Sequence, residues 1–369
     1  MNFKEMNLRI FEGKKIPHVL FQPRIEPWYH WHKHFNMLPE KYKNMSILEL
    51  FDDLKISMRY FDYYTNIPHP IETVYTDKIK IKENFEKEYG KRIIETPYGD
   101  LIEVLKKTPD DTWRTIDFPV KTKDDLKKLR YLYENTIYHF SIEKFETGVK
   151  FIGERGMPQF WLQKSPYQAF RRWMHLEDFI YALCDNPVSI EEVIEAMDTS
   201  YNKFYDEIIS YGKVKIVNFG ENIHAHTLSP KYFEKYLIPY YMKRSNQLRK
   251  SGIYTHIHID GYFKPLLKFL KDLPFDGLEA LTPLPQGDVT IEEIKEYIGD
   301  KILIDGIPAV LFLPTYSRDE LQKCVEKLVK LFHPKLILGI SDEIPENADE
   351  EGIERVRWVS QYCQKYLTV

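Results

Sequence analysis

Tyr254-Thr255-His256-Ile257-His258-Ile259-Asp260-Gly261 carries β-branched residues straight into two imidazoles and a carboxylate. Side chains alternate along a strand, so His256, His258 and Asp260 share one face while Thr255, Ile257 and Ile259 share the other. Three groups suited to metal ligation or proton transfer then line one wall. A plainly solvated strand end, with Gly261 marking the turn, is the competing interpretation, and the rest of the chain has to decide between them.

Outward from this stretch, short β-branched runs alternate with helical patterns from about residue 190 onward, the signature of repeated βα units. Apolar residues recur at helical spacing over 189–210, and 214–219 reads as a strand followed at once by Glu221 and Asn222. Ser229-Pro230 opens the next helix, and the chain returns through 253–259. Helices over 263–270, 291–298, 319–332 and 351–366 then alternate with strands over 277–281, 302–304 and 336–340. A further strand is expected at 149–153, and 17–21 and 60–64 are candidates for two more. This arithmetic favours a (β/α)8 TIM barrel over an open doubly wound sheet. Residues 71–135 break the pattern: alternating Val74, Ile79 and Ile81, the Pro97-Tyr98-Gly99-Asp100 turn and a helix over 123–133 predict antiparallel hairpins inserted in the barrel. With no repeat of fixed period and no low-complexity linker, residues 1–369 read as one domain.

Composition narrows the function classes. Among 369 residues, 52 basic side chains face 56 acidic ones for a net charge of −4, without a Lys/Arg run of the kind that holds nucleic acid. No apolar run approaches the ~20 residues that span a bilayer, and the first residues lack a signal-peptide core, so a cytoplasmic protein is expected. Cys184, Cys324 and Cys363 are far apart and form neither a disulfide framework nor a CxxC metal site. Any metal must therefore rest on His and carboxylates.

In such barrels chemistry sits where strands run out into loops. The polar residues at those points are Glu221 and Asn222, His258 and Asp260, Glu279, Asp305, and Ser341-Asp342-Glu343. Carboxylates crowded in one cavity repel unless a cation or shared proton intervenes, so the ring predicts a bound metal or raised carboxyl pKa values. Glu221, His258, Asp260 and Asp342 offer the nitrogen and oxygen donors that zinc accepts, although each carboxylate could equally serve as a cap or loop ion pair. His224 and His226 either extend the cluster or belong to a solvated loop. After the first candidate strand, Arg24 is suited to an anionic group, and Trp28, Tyr29 and Trp31 to stacking on a planar one or to packing a Pro-rich lid.

These strand ends resemble those of the uroporphyrinogen decarboxylase superfamily, and of its corrinoid-dependent methyltransferase branch in particular. The resemblance spans most of the chain. It is carried by Gly220-Glu221-Asn222, Ser229-Pro230, Tyr236-Leu237-Ile238-Pro239-Tyr240, His258-Ile259-Asp260-Gly261 and Leu338-Gly339-Ile340-Ser341-Asp342-Glu343-Ile344-Pro345. Porphyrinogen decarboxylases of the superfamily hold substrate carboxylates with an N-terminal Arg-Gln-Ala-Gly-Arg segment, where this chain has Phe21-Gln22-Pro23-Arg24-Ile25-Glu26. Its thiol-directed zinc methyltransferases carry His-x-Cys-Gly and a later Cys. Here His258 keeps the histidine, Asp260 replaces the first cysteine, and Asp342 or Ser341 falls near the second.

The resemblance implies a methyltransferase that moves a methyl group from a small O-methyl or N-methyl donor to the cobalt of a separate corrinoid protein. His258, Asp260, Glu221 and Asp342 would be its catalytic and zinc-binding residues. Arg24, Trp28, Trp31, Asn222, Tyr262 and Glu279 would contact the donor, with the aromatics sandwiching an aryl ether or caging a quaternary ammonium. No cobalamin-binding Asp-x-His-x-x-Gly motif is present in the chain, so a partner supplies the corrinoid. The alternative is a lyase acting on a carboxylated ring, and a third class is a noncatalytic corrinoid or porphyrin binder. A homodimer is compatible with either activity.

Overall fold

Seven parallel strands form the central sheet of the computed structural model, which describes residues 1–109 and 111–366. They are β1 (Leu20–Phe21), β2 (Trp161–Leu162), β3 (Ile216–Ile223), β4 (Tyr254–Ile259), β5 (Gly277–Glu279), β6 (Ile302–Pro308) and β7 (Leu336–Ser341). Their spatial order is β1-β7-β6-β5-β4-β3-β2. Every residue of β5, β6 and β7 is buried, as expected of parallel strands covered on both faces. Helices between strands start at conventional caps. Thr290 with Glu293 and Ser317 with Glu320 form capping boxes ahead of Ile291–Tyr297 and Arg318–Phe332.

The register of the sheet places the polar residues. His256 lies opposite Asn218 on one side and Gly277 on the other, while His258 lies opposite Glu279. The N-terminal helix Phe3–Phe11 brings Met6, Ile10 and Phe11 into an apolar cluster with Leu20, Ile216, Ile302, Ile304 and Ile337, residues near the starts of their strands. Apolar packing thus closes the N-terminal ends, and the polar groups gather toward the C-terminal ends.

Several expected elements differ. Residues 149–152 end a helix, Ile142–Ile152, whose buried Phe145, Gly148 and Ile152 share one face, Gly153 is in the turn after it, and the strand comes later as β2. At 60–64 there is no ladder. Tyr60 makes one parallel bridge to Gln159, and the Ser57 amide donates to the Phe21 carbonyl at 2.9 Å. Residues 57–60 therefore hydrogen-bond toward both β1 and the segment leading into β2 without forming a strand. The helix over 189–210 is two helices, Pro187–Ser200 and Asn202–Tyr211. The structure is α/β with a parallel sheet, and a continuous closed ladder is not seen among the described residues.

Two units divide the chain. The sheet belongs to the first, made of Met1–Pro70, Ile142–Leu162 and the residues from Gly212 onward. The second comprises Ile71–Ser141 and Gln163–Tyr211. It holds the antiparallel pair Ile71–Tyr75 with Thr136–Phe140, a four-stranded antiparallel sheet from Lys80 to Asp117, the helix Lys123–Glu134 and the helices of its second segment. The expected hairpins of 71–135 fall in this unit.

Gly339 in β7 shows how tightly the strand ends are built. A Cβ there would lie 2.2 Å from Asp305 Oδ1 and 3.0 Å from the Gln22 carbonyl. Gly339→Ala is expected to destabilise the protein by about 1–3 kcal/mol, because neither a backbone carbonyl nor a tethered carboxylate can yield. Urea denaturation measures this, and an unchanged midpoint would contradict the packing.

Candidate active site

Glu279, at the end of β5 and fully buried, is the hub of the site. Its Oε2 accepts from the Tyr60 hydroxyl at 2.6 Å and from Asn218 Nδ2 at 2.5 Å, and lies 2.9 Å from His256 Nδ1. Its Oε1 lies 2.9 Å from Arg59 Nη1 and 3.5 Å from His258 Nδ1. Burial alone would raise the pKa of this carboxyl, but Arg59 and the hydrogen bonds of His256 and His258 outweigh it and hold Glu279 well below the usual range.

Arg59 also grips Asp305 at 2.6 and 3.1 Å and donates to Gln22 Oε1 and the Gln22 carbonyl, both at 3.1 Å. Two buried carboxylates thus share one guanidinium. The cost falls on Asp305, whose burial, reinforced by the neighbouring Glu279 charge, raises its pKa despite Arg59. His256 is sealed in below, with Nε2 2.7 Å from Gln159 Oε1, and burial holds its pKa under the ordinary value. It is a neutral framework residue, on the same strand face as His258 but one step deeper.

At the rim, His258, Asp260 and Asp342 bring one donor atom each within 4.8 Å of one another. Beyond β4 the chain turns at Gly261 with φ +69°, a conformation that favours glycine, and a Cβ there would strike His224 at 2.6 Å. His258 Nε2 lies 3.6 Å from Asp342 Oδ2. Arg24 caps the other side of Asp342: its guanidinium pairs with Oδ1, and its Nε donates to the Asp342 carbonyl at 2.9 Å. The Arg24 guanidinium also lies over the Tyr63 ring at 5.6 Å, and the Tyr63 hydroxyl donates to Glu343. Tyr60 stacks on Trp161 at 4.2 Å, with Tyr63 edge-on to the same indole.

His258, Asp260 and Asp342 together could hold a metal ion, and zinc is one that accepts such carboxylate oxygen and imidazole nitrogen donors. Tetrahedral ligands on bonds of about 2.0–2.1 Å sit roughly 3.4 Å apart, close to the 3.6 Å between His258 Nε2 and Asp342 Oδ2. Glu279 then stands behind His258 as the carboxylate that orients a ligating imidazole through its other nitrogen.

The structure brings together His258, Asp260, Asp342, Arg24 and Glu279 among the residues expected from sequence. Glu221 is buried within β3 and stands outside the metal-binding group, and Asn222 is exposed. Trp28 belongs to the helix Glu26–His34. Fully buried, it donates to the Ala348 carbonyl at 2.7 Å and packs on His32 and Tyr42, so protein occupies its faces. Trp31 packs on Phe35, and Tyr262 stacks on His226. Arg59, Tyr60, Tyr63, Gln159, Trp161 and Asn218 escaped the sequence reading. Tyr60 and Tyr63 lay inside the candidate strand 60–64, with Arg59 beside it, and Asn218 lay inside 214–219, but nothing in their spacing linked them to Glu279.

Glu26 begins the helix after Arg24. It is 1% exposed, its Oε2 has no hydrogen-bond partner, and burial lifts its pKa to about 7 against partial compensation from backbone amides and Arg24. A carboxyl with a raised folded pKa binds protons more tightly in the folded state. Its contribution is complete below about pH 4.5 and is lost as pH climbs through about 7, a change of about 3 kcal/mol. Glu26→Gln is expected to be more stable than the parent at pH 8, with the advantage gone at pH 4.5. Paired urea titrations at both values check this, and parallel pH dependence in the two proteins would refute it.

An α/β protein with imidazole, carboxylates and buried arginines at its strand ends is defined by this geometry. The chain belongs to the uroporphyrinogen decarboxylase (URO-D) family, whose model matches residues 112–361. Its structure is similar to that of a methyltransferase from Methanosarcina mazei over 98% of this chain and 99% of that one, with 13% identity and a TM-score of 0.58, a likeness of fold. A B12-independent methionine synthase from Shewanella sp. W3-18-1 is similar over 89% of each chain, at 12% identity and a TM-score of 0.46. No curated protein matches the chain by sequence. Among the described residues, no helix is long and apolar enough to cross a membrane.

Proposed function

We propose that this protein is a methyltransferase that moves a methyl group from a small O-methyl or N-methyl donor to the cobalt of a corrinoid carried by a separate protein. The reading takes the seven strands together with residues 57–60 as a (β/α)8 barrel whose C-terminal rim holds the site. The observation that carries it is the convergence of His258, Asp260 and Asp342 in front of a fixed Glu279. Membership of the URO-D family and the fold shared with the Methanosarcina methyltransferase support it.

Zinc, when bound by His258, Asp260 and Asp342, would supply Lewis acidity toward the donor's leaving atom. The partner's reduced corrinoid would supply the electron pair for the new cobalt–carbon bond, while the pair of the breaking bond stays on the leaving oxygen or nitrogen. Glu279 Oε1, 3.5 Å from His258 Nδ1, is placed to accept a proton there, which would leave the Nε2 lone pair facing Asp342 and the metal position. Arg24 holds Asp342 from its far side. A Lewis acid at the leaving atom favours a group that departs as an anion, which places O-methyl compounds ahead of quaternary amines. Both arginines of the site are already committed to protein carboxylates, Arg24 to Asp342 and Arg59 to Glu279 and Asp305. That arrangement supports methyl transfer over decarboxylation of a polycarboxylate ring, which needs its cations for the substrate.

The test is methyl transfer from a panel of methyl ethers and methylamines to free cob(I)alamin, followed by the loss of the cob(I)alamin absorbance, together with elemental analysis. About one zinc per chain and transfer from an ether are expected. Failure of every donor, or release of carbon dioxide from uroporphyrinogen instead, would overturn the proposal.

A further inference from the structure

The second unit carries a four-stranded antiparallel sheet, Lys80–Phe85, Tyr89–Glu95, Leu101–Lys107 and Trp113–Asp117, whose two faces differ sharply. On one face Leu101, Glu103 and Leu105 are buried, and Glu103 is neutralised by Arg92 and Arg172. On the other, the cross-strand register sets Ile93 directly opposite Ile102, with Val104 opposite Lys91. Lys80 and Lys82 on the first strand, Lys91 on the second, Lys106 on the third and Arg114 on the fourth surround this aliphatic centre, and all five are exposed. Ile102 is 39% exposed and Tyr89 48%. Two acids share the face, Glu95 and Asp117, and each pairs with a lysine, Lys82 and Lys121 respectively.

Lysines often guard the edges of sheets against unwanted pairing. Lys80, Lys82 and Arg114 sit on edge strands and have that ordinary explanation. Lys91 and Lys106 are on the inner strands, whose backbones are already paired on both sides, so edge protection does not account for them. An aliphatic centre ringed by cations, in a chain whose net charge is −4, has the composition of a recognition surface for an acidic partner. Nucleic acid is the poorer match. Base stacking needs open aromatic faces, and the Tyr89 ring already lies under Lys106 at 5.8 Å.

We propose that this sheet face docks an acidic protein surface and, on the reading of the activity given above, that the partner is the corrinoid carrier. Four strands about 4.8 Å apart and six or so residues at about 3.3 Å give a face of roughly 300–400 Å2. That is below the ~800 Å2 per partner of a stable complex, so the contact is transient and depends on charge. A carrier that must leave to be used elsewhere calls for such a contact.

The test uses the full chain and, as probe, a cobalamin-loaded corrinoid protein purified from the same cells by its absorbance. Lys80→Glu/Lys91→Glu/Lys106→Glu is expected to weaken binding in isothermal titration at least tenfold, and the parent complex to weaken as salt rises from about 50 to about 500 mM. Methyl transfer to free cob(I)alamin should not change. Should the triple variant fail to fold, Lys91→Gln/Lys106→Gln is expected to weaken binding about threefold. Unchanged carrier binding in the variants overturns the docking face, as does a 20-nucleotide poly(U) that binds the parent and loses the variants, or self-association of the parent that the variants abolish. Absence of transfer to free cob(I)alamin sinks the activity instead, and leaves the binding result to stand by itself.

Discussion

Arg59→Met is expected to destabilise the protein by about 3–5 kcal/mol, because it strands Glu279 and Asp305 as uncompensated buried charges. The thioether fills similar space, so little of the loss comes from packing. With the guanidinium gone both carboxyls are driven toward protonation, and the deficit should shrink as pH falls. Adding Asp305→Asn removes one of the stranded charges and is expected to recover part of the loss. Urea denaturation of the single and double variants across pH measures all of this, and a single-variant loss under about 1 kcal/mol would mean that the arginine does not hold the hub.

His258→Ala has the largest expected effect on chemistry. It removes the one nitrogen donor of the metal group and the residue through which Glu279 acts on it, so bound zinc should fall from about one per chain to background and methyl transfer by about 10²- to 10⁴-fold. Glu279→Gln leaves the donors in place but loses the carboxylate behind the imidazole, and is expected to weaken zinc about 10- to 100-fold. Fold should survive His258→Ala, since the ring lies at the rim and, unlike Arg59, does not compensate buried carboxylates on its own. Full zinc occupancy in His258→Ala would dismantle the assignment.

Much of the rim was legible before any coordinates. A strand running into His258-x-Asp260-Gly261 and another into Ser341-Asp342 announce themselves, because strand periodicity and the turn residue after it are local properties of sequence. The layer beneath was not. Arg59 reaches Asp305 across 246 residues and Tyr60 reaches Glu279 across 219, and no periodicity encodes such pairings. His256 looked like a partner of His258 because both occupy one strand face, whereas depth along the strand separates a buried framework imidazole from one at the rim. The false strand at 149–153 arose because a short apolar run fits a buried helix end as well as a strand. Trp28 and Trp31 suited stacking on a ligand and packing in a lid equally well by sequence, and only their contacts with His32, Tyr42 and Phe35 show how they pack.

The rim is built from imidazole and carboxylate with no sulfur. Peroxide, which disarms thiolate sites by oxidising the ligand itself, finds no thiolate among His258, Asp260 and Asp342. Cys184 is exposed and Cys363 buried, and neither contributes a donor. The protein should therefore tolerate purification in air, and its three cysteines could be exchanged for serine or alanine to free one chosen position for a spectroscopic label.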